Sequence, residues 1–450
     1  MTAAPPAARE GVRKARYGIG RALLAVQQWL RRPLTSLHLV LGIFAILTLV
    51  GLVMVLSASS VEAYTVNGSS YSVFVKQLAF CVPGLALFWL GLRVPPRTLR
   101  SWAPALLVIS VLLLVAVLVV GVERNGSKAW FGFGSFTFQP SEGAKVALTL
   151  WGAHVLAARR AVMHRWKYAL SPVVPVTVVI LTLLVLQPDL GMTISMGIVL
   201  IALLFYAGAP KRLLAVLIAG ATVGALALAF SASYRLARIT AFFSDDTEEA
   251  LRSRYQINQS LYSLADGGLF GVGLGQGRAK YYLPQAHNDF IFAVIGGELG
   301  FVGAFCVVAL YALLAYTGFR IAARNTDPWL KLVVATCTTW LVAQAAINIC
   351  YVVGLLPVTG LQLPLISSGG TSLIVTMFVF GVLANAARHE PEAIAALRQQ
   401  DGGRYTGRLT RLLRLPAPQP YKAPPTRQAA RPTTRRQAPR PPAQRTSSRR

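Results

Sequence analysis

Ten windows of roughly 20 mostly apolar residues follow one another along this chain, each about the length of a helix that crosses a bilayer. Repetition on that scale leaves lipid as the solvent in which such a sequence folds. A soluble domain needs charged residues to cover its surface, and with 54% hydrophobic against 13% charged residues they are too few. The pattern predicts an all-α polytopic membrane protein with about ten transmembrane helices, over residues 37–56, 74–92, 102–120, 144–158, 172–186, 191–207, 213–230, 290–314, 330–353 and 372–387.

Charge in the connections sets the predicted orientation, because Lys and Arg accumulate in short cytoplasmic loops. Arg93, Arg97 and Arg100, then Arg159, Arg160, Arg165 and Lys167, then Lys211 and Arg212, then Arg320, Arg324 and Lys331 all fall in alternate connections. Both termini are therefore expected in the cytoplasm, with the other connections outside. The largest of these, 231–289, precedes the eighth span and carries an acidic cluster, Asp245, Asp246, Glu248 and Glu249. The chain divides into a basic cytoplasmic segment 1–35, a membrane domain 36–388 and a basic, Pro- and Arg-rich tail 389–450. The first segment has no apolar core followed by a cleavage site, so no removed signal peptide is expected. The tail lacks the apolar residues to bury a core and is expected to be disordered in the cytoplasm. Its basic residues suit anionic lipid or an acidic protein surface rather than nucleic acid, or serve only to solubilise and orient the chain. Cys81, Cys306, Cys337 and Cys350 lie in apolar runs, so neither a disulfide nor a metal site is expected.

Candidate chemistry gathers in the outward connections. Glu142 and Lys145, three residues apart at the start of the fourth span, share a helix face and can pair. Ionisable groups at membrane depth mark a site, or a structural ion pair that fixes the helix. The motif QPDLG puts Gln187 and Asp189 between two spans with almost no loop, and Asp189 also reads as a helix cap. In LADGGLFGVGLGQGRAK, residues 264–280, glycines beside Arg278 and Lys280 suit a loop that holds a diphosphate through backbone N–H groups and cations. It lacks the Lys-Ser/Thr ending of a P-loop. YYLPQAHNDFIFAVIGGELG, 281–300, places His287 and Asp289 at the outer mouth of the eighth span, where a carboxylate suits general-base chemistry or helix capping. Gly296, Gly300 and Gly303 suit close helix packing. GLLPVTGLQLPLISSGGTS, 354–372, has a backbone too irregular to face lipid, so it lines a cavity or is buried in protein. Asn67, Asn125 and Asn258 open Asn-X-Ser triplets, to which no function is attached.

In this order, NGSKAWF with QPSEGAK, then QPDLG, YLPQAHNDFIFAVIGGELG and GLLPVTGLQLPLISSGGTS resemble the SEDS family (shape, elongation, division and sporulation). The likeness is to its cell-division branch, in the actinobacterial, mycobacterium-like form, and it covers nearly the whole membrane region. The resemblance implies a SEDS-type bundle and an inverting glycosyltransferase that polymerises lipid II into glycan strands outside the plasma membrane, at the division septum. It makes Asp289 the base that takes a proton from the acceptor sugar hydroxyl, with Glu142 and Lys145 as further catalytic candidates. Trp130, Arg278, Lys280, His287, Gln187, Asp189 and Ser367 are the candidate substrate contacts. The leaving group is undecaprenyl diphosphate, and the charge there leaves room for a divalent cation, magnesium or manganese, although no metal ligand is assigned. Implied partners are a class B penicillin-binding protein, which supplies crosslinking, other division-complex proteins, and the division tubulin at the basic tail. Gln285, Gly297 and Ser368 depart from the family's usual Glu, Glu and Tyr, so no role carries over to them. A lipid II transporter, or a noncatalytic scaffold that recruits a transpeptidase, would use the same residues and stands as the alternative.

Overall fold

A computed structural model describes residue 28 and residues 32–124, 126–134, 136–230, 248–400 and 415–421. In chain order its helices are α1 (Thr35–Asn67), α2 (Ser72–Arg93), α3 (Pro96–Val120), α4 (Pro140–Ala158), α5 (Trp166–Leu170), α6 (Val173–Leu186), α7 (Leu190–Tyr206), α8 (Lys211–Phe230), α9 (Glu248–Gly267), α10 (Ala279–Tyr282), α11 (Ile291–Arg324), α12 (Pro328–Val352), α13 (Gly370–Arg388) and α14 (Pro391–Gln400). Ten of them coincide with the ten predicted spans, so the polytopic architecture stands. By length and composition α1, α2, α3, α11, α12 and α13 are sufficient to cross a bilayer, while α6 and α7 are apolar but shorter.

Local chemistry sets the boundaries. Prolines occupy the first turn of α3, α4 and α12, where a missing N–H costs nothing. Asp327 caps α12 by accepting from the Trp329 N–H (2.9 Å), and α1 ends on Gly68 in the left-handed region (φ 70°). The interior of the bundle is built on α12 and α13, whose most apolar windows are 67% and 78% buried, against 17% for α2 at the periphery. Small residues bring α2 and α13 together: a Cβ on Gly91 would lie 2.8 Å from the Phe378 carbonyl oxygen, and one on Gly381 2.1 Å from that of Phe88. No hydrophobic force drives helices together in lipid, so this close approach supplies the contact. Phe44 stacks on Phe88 beside it (4.3 Å between centroids). Trp329, fully buried, bridges α12 to α4 through the Leu150 carbonyl (3.1 Å).

Three stretches differ from their sequence expectation. The connection after α3 forms an antiparallel sheet of β1 (Val122–Arg124), β2 (Ser127–Phe133) and β3 (Phe136–Phe138), in that order. The large connection 231–289 contains the 20-residue helix α9 and the short α10; Asp245 and Asp246 lie outside the described residues. Within the region assigned to a disordered tail, 391–400 is helical and Pro416 accepts a hydrogen bond from Arg388 Nη2 (2.9 Å). Pro391 at the first turn, Glu392 beside it and Arg398 in the last turn match the helix dipole. Residues 1–27, Asn125 and most of the tail lie outside the described residues.

Candidate functional site

One face of α12 ties the motifs together. Gln344 and Asn348 are one helical turn apart and point the same way. The Gln344 side chain faces Lys145 Nζ through its oxygen (3.4 Å) and donates through its nitrogen to the Gln362 carbonyl (2.8 Å). Asn348 Nδ2 donates to the carbonyls of Asp289 (3.0 Å) and Leu361 (2.8 Å), and the Tyr351 hydroxyl reaches the same two oxygens (2.9 Å each). Asp289 is thus fixed through its backbone carbonyl, which accepts from both Asn348 and Tyr351. The segment 354–369 passes directly beside it: a Cβ on Gly360 would lie 4.0 Å from Asp289 Oδ2.

Glu142 and Lys145 form the expected pair, 3.0 Å apart and almost fully buried. Lys145 Nζ also lies 4.5 Å from the centre of the Trp340 ring, a contact that compensates a buried ammonium. Asp189 caps α7 by accepting from the Met192 N–H (3.0 Å), and its second oxygen accepts from Gln139 Nε2 (2.9 Å). Burial pushes the Asp189 carboxyl above the usual range; the Met192 N–H pulls it down, Glu142 pushes it up, and Lys145 and Gln139 pull it down again. Glu142, Lys145, Asp189 and Gln139 therefore form one electrostatic cluster. Among the described residues, no three His, Cys, Asp or Glu side chains gather as a metal-binding group.

The remaining candidates separate by role. His287 Nδ1 faces Glu62 Oε2 (3.2 Å), and its carbonyl accepts from the Ser368 N–H (3.0 Å), which docks 354–369 onto the Asp289 turn. Ser367 Oγ accepts from the Leu363 N–H (2.9 Å), so its hydroxyl shapes that loop. Gln187 is fully buried, donates to the Leu114 carbonyl (3.1 Å) and accepts at its own carbonyl from Ser127 Oγ (2.5 Å). It anchors β2 to the helices. Trp130 sits half-buried on β2, paired with Val122.

The Gly-rich loop is not the open cradle the sequence suggested. The N–H groups of Gly271, Val272 and Gly273 donate to the carbonyls of Gly267 (2.8 Å), Gly297 (3.1 Å) and Glu298 (3.0 Å). Lys280 Nζ is bonded to the Gly275 carbonyl, and Arg278 is exposed. Two of the three expected packing glycines do pack against another segment: a Cβ on Gly296 would lie 2.3 Å from the Leu264 side chain, and one on Gly300 2.3 Å from the Gly271 nitrogen, whereas one on Gly303 would meet Leu299 of its own helix. Gly297 has no room for a longer side chain, because its Cβ would lie 2.6 Å from Ser263 Oγ.

Sequence reasoning missed Gln344, Asn348, Tyr351, Gln139 and Glu62. The i, i+4 spacing of two amides inside an apolar span was the available signal.

Residues 37–392 match the model of the FtsW, RodA and SpoVE family of cell cycle proteins. The chain belongs to that family. It is 51% identical over 399 residues to the probable peptidoglycan glycosyltransferase FtsW of Mycobacterium tuberculosis, covering 88% of this chain and 75% of that protein. It is 38% identical over 359 residues to the stage V sporulation protein E of Bacillus subtilis, covering 79% and 98% respectively. Among solved structures it superimposes on a chain of a peptidoglycan synthase complex that coordinates polymerization and crosslinking (TM-score 0.65, 29% identity, 81% and 99% covered). It also matches RodA of Thermus thermophilus (TM-score 0.59, 31% identity, 81% and 99% covered). The family read from four ordered motifs is thus the family found, and its members in both structures share the polytopic fold.

Proposed function

We propose that this FtsW-family chain is a peptidoglycan glycosyltransferase that polymerises lipid II at the cell surface during division, with Asp289 as its general base. The observation that carries the reading is the convergence on one face of α12 of the Asp289 turn, the 354–369 segment and the Glu142–Lys145 pair. The similarity to proteins named as glycosyltransferases supplies the reaction class.

In that reaction the Asp289 carboxylate takes the proton of an acceptor sugar hydroxyl as its oxygen attacks the anomeric carbon of the donor. The anomeric centre inverts, the carbon–oxygen bond to the diphosphate breaks, and undecaprenyl diphosphate departs with the bonding electrons. Lys145, held by Glu142, and the cluster around Asp189 set the field on that face of α12, while the exposed Arg278 offers a further cation. A divalent cation at the diphosphate would act through the substrate's own oxygens together with one or two carboxylates.

Orientation follows the basic connections: both termini in the cytoplasm and the site outside, at the septal plasma membrane. A class B penicillin-binding protein is the proposed crosslinking partner, in line with the complex whose chain this fold matches. Division proteins, including the division tubulin, are proposed for the basic tail. The test is polymerisation of labelled lipid II by the purified chain with its cognate transpeptidase. Asp289→Ala and Asp289→Asn are each expected to lower polymer formation about 100- to 10,000-fold while lipid II binding persists. Undiminished polymer in both variants would remove Asp289 from the mechanism. Lipid II movement across vesicles with no polymer from the native complex would establish transport instead.

A further inference from the structure

Helix α11 breaks at Gly300, whose backbone (φ 69°, ψ −170°) is open to glycine alone. The break frees N–H and C=O groups, and the Gly-rich loop takes them up: Val272 and Gly273 donate to the carbonyls of Gly297 and Glu298, while Phe301 and Val302 donate to those of Gly268 (2.8 Å) and Leu269 (3.1 Å). The loop is stitched into the side of a spanning helix.

Its level can be counted. One bilayer core is about 20 helical residues. From Thr35, at the start of α1, that count reaches Val55, and Ser57 Oγ, two residues on, donates to both oxygens of Glu298 (2.7 and 2.6 Å). From Arg320, near the far end of α11, it reaches Gly300. Two helices running in opposite directions place the same membrane boundary beside the loop, on the side of the candidate site.

At that boundary the loop turns apolar side chains away from the protein. Leu269, Phe270, Val272 and Leu274 are 65%, 80%, 45% and 54% exposed, and they continue into Phe301 and Phe305 on α11, 63% and 59% exposed. Arg278, Tyr281 and Tyr282 follow, all exposed. Apolar residues bounded by aromatic rings and a cation are the composition of an element lying in the headgroup–acyl boundary. A face this apolar is unusual against water.

We propose that residues 269–274 are a membrane-interface anchor, inserted in the leaflet on the site's side, with Arg278 against lipid phosphates. Lipid is the occupant because the patch is continuous with the lipid-facing side of α11 and lies at the level where two independent counts put the boundary. The anchor fixes α9, and through the α11 break the mouth that holds Asp289, relative to the membrane plane.

The test is spin-label accessibility in the full chain, its four native cysteines replaced by alanine, reconstituted in vesicles containing phosphatidylglycerol. Labels go at Phe270→Cys and Leu274→Cys, with Ser69→Cys in the α1–α2 connection as the aqueous reference. At 270 and 274, collision with oxygen relative to a water-soluble nickel chelate is expected to be several-fold higher than at 69. Ratios equal to the reference would overturn the anchor. Exclusion of both quenchers would also overturn it, showing a protein surface such as a second copy over the patch. The two positions are independent, so either suffices where the other variant does not reconstitute.

Discussion

A lysine with no exposed surface, such as Lys145, is tolerable because its charge is met three times: by Glu142 at 3.0 Å, by the Gln344 side-chain oxygen at 3.4 Å and by the face of Trp340. Removing one member of a buried pair strands the other, which costs about 3–5 kcal/mol, whereas replacing both with apolar or neutral groups of similar size is often close to neutral. Lys145→Met and Glu142→Gln are therefore each expected to lower the melting temperature clearly, and the double variant to recover most of the loss. Lipid II polymerisation separates structure from chemistry, since the double variant should regain its melting temperature without regaining activity. If polymer returned along with stability, the pair would be a structural device and Asp289 would act without it. The pairing itself was legible in the sequence as an i, i+3 spacing. The partners Gln344 and Trp340 were not, because they lie about 200 residues away on a helix whose amides are scattered among apolar side chains.

The spanning helices were legible because a spanning helix must satisfy its backbone internally and announces itself by length. What lies between the helices was not. The three short strands after α3 alternate only weakly, and α9 is an amphipathic helix in a connection dominated to the eye by glycines. The glycines of that connection looked like a phosphate cradle because cradle and helix-break repair both need backbone N–H groups at close approach. Only their partners distinguish the two, and here the partners are the carbonyls of Gly297 and Glu298. Gly300→Ala is accordingly expected to destabilise the chain by about 1–3 kcal/mol from backbone strain alone. The loop should loosen as well, because the new Cβ would lie 2.3 Å from the Gly271 nitrogen and 2.5 Å from the Leu269 carbonyl oxygen. Faster amide exchange over 268–273, with exchange in α2 and α13 unchanged, is the signature. Uniform exchange across all helices would mean that the break and the loop are not one unit.

Across the whole molecule, two separate polar networks close the bundle, one at each end. At the site end the clamp is Gln344, Asn348 and Tyr351. At the other, Asn385 Nδ2 donates to the carbonyls of Gly91 (2.8 Å) and Val94 (2.7 Å), Asn325 Nδ2 to that of Ala386 (3.1 Å), and Arg388 to those of Leu92 and Pro416. A cavity of about 290 Å³ lies there, lined by Arg97, Asp327 and the returning segment 416–421, far from the motifs that define the candidate site. Two ionisable groups at this end have shifted pKa values, from which a pH response is expected. Burial is the largest influence on His389 and pulls its imidazole below the ordinary 6.5; the Asn385 carbonyl pushes it up, Arg388 pulls it down and Asp327 pushes it up. With the folded value depressed, unfolded chains bind a proton that folded chains refuse, so stability is lost as pH falls through 6.5 and is unaffected above it. Glu390, raised chiefly by burial above its ordinary 4.5, slopes the opposite way: its stability loss comes as pH rises from 4.5 through its folded value. Comparison with His389→Asn isolates the first effect. The native chain is expected to lose melting temperature between pH 7.5 and pH 6, with faster amide exchange at the ends of α2 and α13 near Val94 and Asn385, and the variant to lose less. Equal losses in the two chains would assign the pH response to other groups and leave His389 a spectator.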